Sequence, residues 1–200
     1  MYDYRKLTKQ QQEEIVAFRQ QQRRPLHSPP HWEYEGQRQF LVTAACYEHA
    51  PIIGASLARM TECETEALTI CAEWASTIYA WCVLPNHYHV LLRTDPITSL
   101  RAALGQFHGR SSFQWNGAEQ QRGRKVWFNC VERLIKSHDH FWATVNYVHH
   151  NPVKHGYVTR WQDWAWSSAT EYLEKLGLAR AAQLWREFPI LNYGEGWDID

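Results

Sequence analysis

An α+β fold is predicted by three features of the sequence. Four short runs have strand character and alternate with two helical stripes in the order β-α-β-β-α-β. The middle pair of strand runs is separated only by Pro85-Asn86, a hairpin signal that makes them antiparallel neighbours. The chain has 200 residues, 44% of them hydrophobic, which suits one ordinary domain with a filled core. Together these describe a ferredoxin-like βαββαβ core with an antiparallel sheet, an added C-terminal helix after the last strand, and an N-terminal arm.

The arm covers residues 1–38. It is Gln-rich, with Thr8-x-x-Gln11 as a capping box for a short helix ending before Pro25. Pro29 and Pro30 then force an extended path. The first strand is the apolar run Phe40 to Tyr47. Thr61-x-x-Glu64 caps the first core helix, with Ala67, Leu68, Cys71 and Trp74 or Ala75 at helical spacing. Thr77 to Leu84 and His87 to Thr94 form the hairpin. After Asp95-Pro96, Ile97, Leu100, Leu104 and Phe107 mark the buried stripe of the second helix, whose other face shows Arg101, His108 and Arg110. Val126 to Ile135 is the fourth strand. Ser137 caps the added helix, in which Phe141, Val145 and Val148 pack, ended by Pro152 and a turn closing at Gly156. The core domain is therefore expected over 39–160, with 161–200 as a tail packing on it.

Composition narrows the function. The five cysteines are an odd number without a Cys-x-x-Cys pair, which fits neither a disulfide framework nor a thiolate zinc site and points to a reducing cytoplasm. No apolar run approaches the roughly 18 residues of a membrane span, so no membrane partner is expected. The net charge of zero is a sum of unlike segments: residues 95–160 carry 9 basic and 4 acidic side chains, while residues 161–200 carry 3 and 7. Arg101, Arg110, Arg122, Arg124, Lys125, Arg133 and Lys154, interleaved with aromatics such as Trp127, suit phosphate contacts with base stacking, so they are the candidate DNA-binding residues. On charge alone, a solvated face explains them equally well.

His87 and His89 are two apart on a strand and so project from one face, where two imidazoles can share a metal ion. Tyr88, Val90 and Leu92 alternate to the other face and pack under helices, which leaves the histidines on the open side. With eleven histidines in the chain, about 0.6 His-x-His pairs arise by chance, so the spacing alone admits ordinary hydrogen-bonded histidines too. A second pair, His138 and His140, falls at a helix start, where the two side chains diverge. Tyr147 and Asn151 are four apart and share a helix face, with the Tyr147 hydroxyl at the edge of the packed stripe, towards solvent or a substrate. Taken alone, Tyr147 reads equally as a packing residue and Asn151 as a C-terminal cap.

Together these residues resemble a known family. Leu84-Pro85-Asn86-His87-Tyr88-His89-Val90-Leu91-Leu92 resembles the His-hydrophobic-His motif of the single-tyrosine transposases of small insertion sequences. Tyr147-Val148-His149-His150-Asn151-Pro152-Val153-Lys154-His155-Gly156-Tyr157-Val158 resembles the tyrosine motif of their relatives associated with repetitive extragenic palindromes, as do Trp127 with its preceding basic run and Trp164-Ala165-Trp166-Ser167-Ser168. The resemblance spans roughly residues 38–175. It implies a metal-dependent endonuclease and strand transferase for single-stranded or hairpin DNA, acting through a 5′-phosphotyrosine intermediate with Mg2+ or Mn2+. By the same resemblance Tyr147, on the added helix, is the catalytic nucleophile and His87 and His89 are metal ligands. Asn151 stands where insertion-sequence members place a Gln ligand, so it is the candidate third ligand, directly or through water. A single tyrosine leaves strand exchange either to a homodimer or to reuse of one site, in a bacterial, nucleoid-associated setting. Two rivals stay open: a non-catalytic single-stranded nucleic-acid-binding module, and a domesticated nicking enzyme that no longer moves DNA.

Overall fold

A computed structural model describes residues 36–194, together with 8–11, 13, 14 and 17 of the arm. The rest of the expected arm, including Pro25, Pro29 and Pro30, lies outside the described residues. The capping box forms as expected: the Thr8 amide donates to Gln11 Oε1 at 2.9 Å, and the Gln11 amide donates to Thr8 Oγ1 at 3.3 Å.

Four strands, β1 (Arg38–Cys46), β2 (Ala75–Val83), β3 (His87–Thr94) and β4 (Trp127–Leu134), make one sheet in the order β2-β3-β1-β4. Every pairing is antiparallel, so this is the expected ferredoxin-like sheet. Helices α1 (Leu57–Trp74) and α2 (Ile97–Ala118) are the two crossovers, and α3 (His138–Lys154) follows β4. Two shorter helices, α4 (Ala169–Leu176) and α5 (Leu178–Glu187), complete the described chain.

The period of two along the strands sorts side chains into two layers. Phe40, Val42, Tyr88, Val90 and Leu92 meet the stripe of α1 (Met60, Cys63, Ala67) and that of α2 (Leu100, Leu104, Phe107). Leu41, Leu91, Ala80 and Cys82 meet Val145, Tyr147 and Val148 of α3 on the other face. Each such side chain taken from water stabilises the fold by about 1.5–3 kcal/mol. The central strand β3 is covered on both sides: seven of its eight residues are buried.

Several boundaries move for physical reasons. The first helix begins at Leu57, four residues before Thr61, because Ser56 accepts the Arg59 amide and serves as N-cap. Thr61 instead lies inside the helix and donates its hydroxyl to the Leu57 carbonyl. The hairpin loop has a third residue, Leu84, whose amide donates to the His87 carbonyl at 2.8 Å. His108 is not on the solvent face of α2: its ring stacks on Trp127 and its Nε2 meets the Tyr88 hydroxyl at 2.9 Å. Pro152 does not end α3, because a proline in the last turn removes only one intrahelical bond. The closure at Gly156 does form. Tyr157 N donates to Pro152 O, and Gly156 N donates to Val153 O around a glycine with φ of 71°, a Schellman cap.

The segment Trp164-Ala165-Trp166-Ser167-Ser168 closes the outer edge of β2. Val83 N donates to Trp166 O, Ser168 N donates to Trp81 O, and Ser168 Oγ accepts from Trp81 N. Ser168 Oγ also meets His149 Nε2 at 2.9 Å, which ties this edge to α3. Burial pushes the His149 imidazole down to about 3, so the ring stays neutral there.

Candidate active site

The register of the sheet builds the site. In β3, His87 faces Ala45 of β1 and His89 faces Thr43, so both imidazoles emerge on the face that α3 covers. Their ring centroids are 4.9 Å apart. Helix α3 lays Tyr147 against His89, ring centroids 5.2 Å apart, and one turn later brings Asn151 Oδ1 within 3.2 Å of His87 Nε2. The four residues singled out in the sequence thus converge. They are more enclosed than expected: the histidines do not lie on an open face, and Tyr147 has only 1% of its surface exposed.

Backbone carbonyls fix the orientation of both amides. Asn86 Nδ2 donates to His49 O at 3.2 Å, which turns its Oδ1 to His87 Nδ1 at 2.7 Å. Asn151 Nδ2 donates to Tyr147 O at 3.2 Å, which turns its Oδ1 to His87 Nε2. His87 is therefore flanked by two acceptors. A neutral imidazole carries one N–H. With Asn86 accepting at Nδ1, the Nε2 lone pair meets the Asn151 oxygen, an arrangement that a shared cation satisfies. At 3.2 Å the two atoms are close enough for one cation to be held by both. Thr43 Oγ1 lies 2.7 Å from His89 Nδ1, so the second imidazole also has Nδ1 engaged by a side chain. Among the described residues no three or more His, Cys, Asp and Glu side chains are arranged to hold a metal, so an ion here needs an oxygen of another type. The amide of Asn151 would supply that oxygen, and two neutral imidazoles with one amide oxygen suit a borderline ion such as Mn2+. Asn151 is not the cap of α3; His155 is.

Sequence reasoning missed Thr43, Asn86 and two further histidines. The rings of His155 and His49 lie 5.1 and 6.5 Å from that of His87. Thr43 carried a signal, as the polar residue in an otherwise apolar strand run. Asn86 was read only as a turn residue.

The end of the described chain covers the tyrosine. A side chain at Gly194 would overlap Tyr147 Cε2, and the Tyr193 ring lies 5.3 Å from that of Tyr147. Tyr193 is held by a directed chain of hydrogen bonds. Lys136 N donates to His140 Nδ1, leaving His140 Nε2 to donate to Tyr193 Oη at 2.9 Å. Tyr193 then donates to Thr144 Oγ1, which donates to His140 O. Burial raises the Tyr193 pKa, and burial with nearby Lys136 lowers that of His140, so both stay neutral as this chain requires. His140 and His138 form no chelate: His138 Nε2 accepts from Trp142 Nε1.

The expected DNA-binding residues divide between the two sides of the sheet. Arg101 pairs with Glu132 at 3.4 Å and Arg110 with Glu66 at 3.3 Å. Arg122 lies 4.1 Å over the Phe113 ring and donates to Phe113 O, and Arg124 pairs with Glu119 at 2.7 Å. Trp127 is buried against His108, with Nε1 donating to Ser111 Oγ. These five belong to the α1 and α2 layer, and Trp127 in particular is a core residue rather than a stacking surface. The reason is period: Trp127 falls in register with Cys46 on the apolar side of the sheet. On the histidine side stand Arg133, paired in register with Leu41, Lys154, 5.6 Å from the Tyr147 ring, and Lys125, over Tyr47 and Phe128 at 4.8 and 5.4 Å.

The chain is similar to known proteins. The family described as IS200-like transposases matches residues 41–151, from β1 through Asn151. A Haemophilus influenzae protein assigned as a REP-associated tyrosine transposase is 30% identical over 115 residues, covering 49% of this chain and 61% of that relative's length. The solved structure of a REP-associated tyrosine transposase bound to a REP hairpin superposes with a TM-score of 0.57 at 19% identity, over 72% of this chain and 84% of that one. The last likeness establishes the shared fold.

Proposed function

The chain belongs to the IS200-like transposase family, and from that premise we propose that it is a metal-dependent endonuclease and strand transferase for single-stranded or hairpin DNA. The observation that carries this reading is the convergence of His87, His89, Asn151 and Tyr147, drawn from a strand and a helix about sixty residues apart, in one buried cluster. A tyrosine packed on His89, beside a second histidine and with both Nδ1 atoms engaged, is costly as mere core and useful as a nucleophile beside a cation site.

Tyr147 Oη attacks the scissile phosphorus. The phenol gives up its proton as the Oη–P bond forms, the P–O3′ bond breaks, and the leaving O3′ takes up a proton, so the DNA leaves with a free 3′-hydroxyl while the 5′ phosphate stays on the tyrosine. A second 3′-hydroxyl reverses the step and rejoins strands. When bound, the divalent ion supplies positive charge to the non-bridging oxygens and to the developing phenolate, whose unperturbed pKa is near 10. His87, His89 and Asn151 would hold it. Lys154, close to the Tyr147 ring, adds a fixed cation, and Lys125 and Arg133 hold the strand across the histidine side of the sheet. A hairpin-forming DNA is the proposed partner because the relative of known structure was solved with one.

The test is covalent capture. Labelled hairpin-bearing oligonucleotides are incubated with the protein and Mg2+ or Mn2+, then run on a denaturing gel. A protein-DNA adduct that needs the metal is expected. Tight binding without any adduct would make the chain a binding module instead.

A further inference from the structure

We propose that Asn86 and Thr43 are positioning residues that set His87 and His89, respectively, to coordinate a metal through Nε2. The inference rests on the metal-site reading above and concerns residues outside the ligand set. A histidine ligates through one nitrogen, and the partner of the other nitrogen decides which one and fixes the plane of the ring. Both partners are visible here. Asn86 Oδ1 lies 2.7 Å from His87 Nδ1, and it can only accept, because its own Nδ2 is committed to the His49 carbonyl at 3.2 Å. Nδ1 of His87 must then carry the proton, and Nε2 is left facing Asn151. Thr43 Oγ1 lies 2.7 Å from His89 Nδ1 and imposes the same choice on the second ring when it accepts.

The two residues hold their histidines from different elements. Thr43 is the register partner of His89 across the β1–β3 ladder, so strand pairing alone aligns the two side chains. Asn86 works from the hairpin loop. Its carbonyl accepts the Cys46 amide at 2.7 Å while its side chain grips the turn Tyr47–His49, in which Glu48 and His49 have positive φ. That turn is therefore a mount for His87: the strained backbone at 48 and 49 aims the His49 carbonyl at the amide that orients the imidazole.

The experiment uses the full chain. Mn2+ alone is titrated while free Mn2+ is followed by electron paramagnetic resonance, and the histidine tautomers of the metal-free protein are read by long-range nitrogen-proton NMR. Asn86→Ala and Thr43→Val are expected to weaken Mn2+ binding about 10- to 100-fold. Asn86→Asp and Thr43→Ser, which keep an oxygen for Nδ1–H, should stay within about threefold of wild type. In Thr43→Val the His89 signal should shift from the Nδ1–H toward the Nε2–H tautomer. Affinities within threefold in all four variants, while His87→Ala abolishes binding, overturn the inference and leave the metal site standing. Mn2+ binding untouched by His87→Ala overturns the metal site itself; an unshifted tautomer in Thr43→Val then removes the positioning role as well.

Discussion

Nε2 of His87 and Oδ1 of Asn151 face each other at 3.2 Å, joining the second strand of the hairpin to the last turn of α3. The Asn151 amide also donates to the Tyr147 carbonyl, so one side chain spans the backbone of Tyr147 and a histidine. Asn151→Ala is therefore expected to raise the metal concentration needed for cleavage by about 10-fold or more. The helix end keeps its cap at His155, so the melting temperature should fall by only a few degrees. Metal titration of cleavage beside thermal melts decides the matter. A lower melting temperature with an unshifted metal midpoint would return Asn151 to a structural role.

Tyr147→Phe removes one hydroxyl and preserves the ring that packs on His89 and Tyr193. Adduct formation should vanish while affinity for hairpin DNA stays within a few fold. Gel-shift and denaturing-gel assays on the same preparation check both halves. Residual adduct at the wild-type level would mean that another residue attacks.

The placement of the basic residues makes a contrast. Lys125→Ala and Lys154→Ala should each weaken DNA binding and reduce the slope of log affinity against log salt by about 1. Arg124→Ala breaks the pair with Glu119 and the bond to Asn116 Oδ1, so it should lower stability and leave that slope unchanged. Equal salt slopes for all three variants would contradict the division of the surface by the sheet.

The fold and the facing of the four central residues were legible in period and spacing, while the family resemblance singled those four out as a site. Alternation put His87 and His89 on one face, and the four-residue step put Tyr147 and Asn151 on another. Burial was not legible. A strand's polar face reads as open until something covers it, and here the covers come from α3 and from residues beyond 188, far from the motif in sequence. The division of the basic residues between two sides of the sheet was hidden for a related reason. Charge counted along the chain ignores which side of the sheet each residue takes, and the carboxylates that neutralise Arg101, Arg110 and Arg124 come from β4, α1 and the loop after α2. Asn86 escaped because its role depends on a carbonyl 37 residues away.

Acid should loosen the far layer of the sheet. Burial against Trp127 and Tyr88 pushes the His108 pKa from near 6.5 down to about 4. The unfolded chain then binds a proton between those values that the folded chain refuses, so stability is full above pH 6.5 and falls as pH drops toward 4. At pH 5 the loss from this one group is up to about 2 kcal/mol. His108→Gln, which can still bond the Tyr88 hydroxyl, should flatten that limb of the stability curve. Urea melts between pH 5 and 7.5 measure it, and an equal slope in both proteins would assign the acid sensitivity elsewhere.

Tyr147 is only 1% exposed and Tyr193 and Gly194 pack on its ring, so loosening that segment is expected to open the tyrosine to reagents. Gly194 is the tight point. Its φ of 83° suits glycine, and a methyl group there would overlap the Tyr147 ring, so Gly194→Ala cannot seat this segment as the wild type does. Tyr193→Phe attacks the same closure from its other end, by removing the bonds to His140 and Thr144. Both variants should expose Tyr147 while leaving the sheet and α3 folded. Nitration by tetranitromethane, mapped by mass spectrometry, should proceed several-fold faster at Tyr147 in each variant than in wild type. Covalent capture of hairpin DNA should be no lower in Tyr193→Phe, since the substitution loosens the cover over Tyr147 and changes none of His87, His89 and Asn151. An unchanged nitration rate in both variants would mean that the tyrosine is reached by another route, past the histidines rather than from beneath the chain's end.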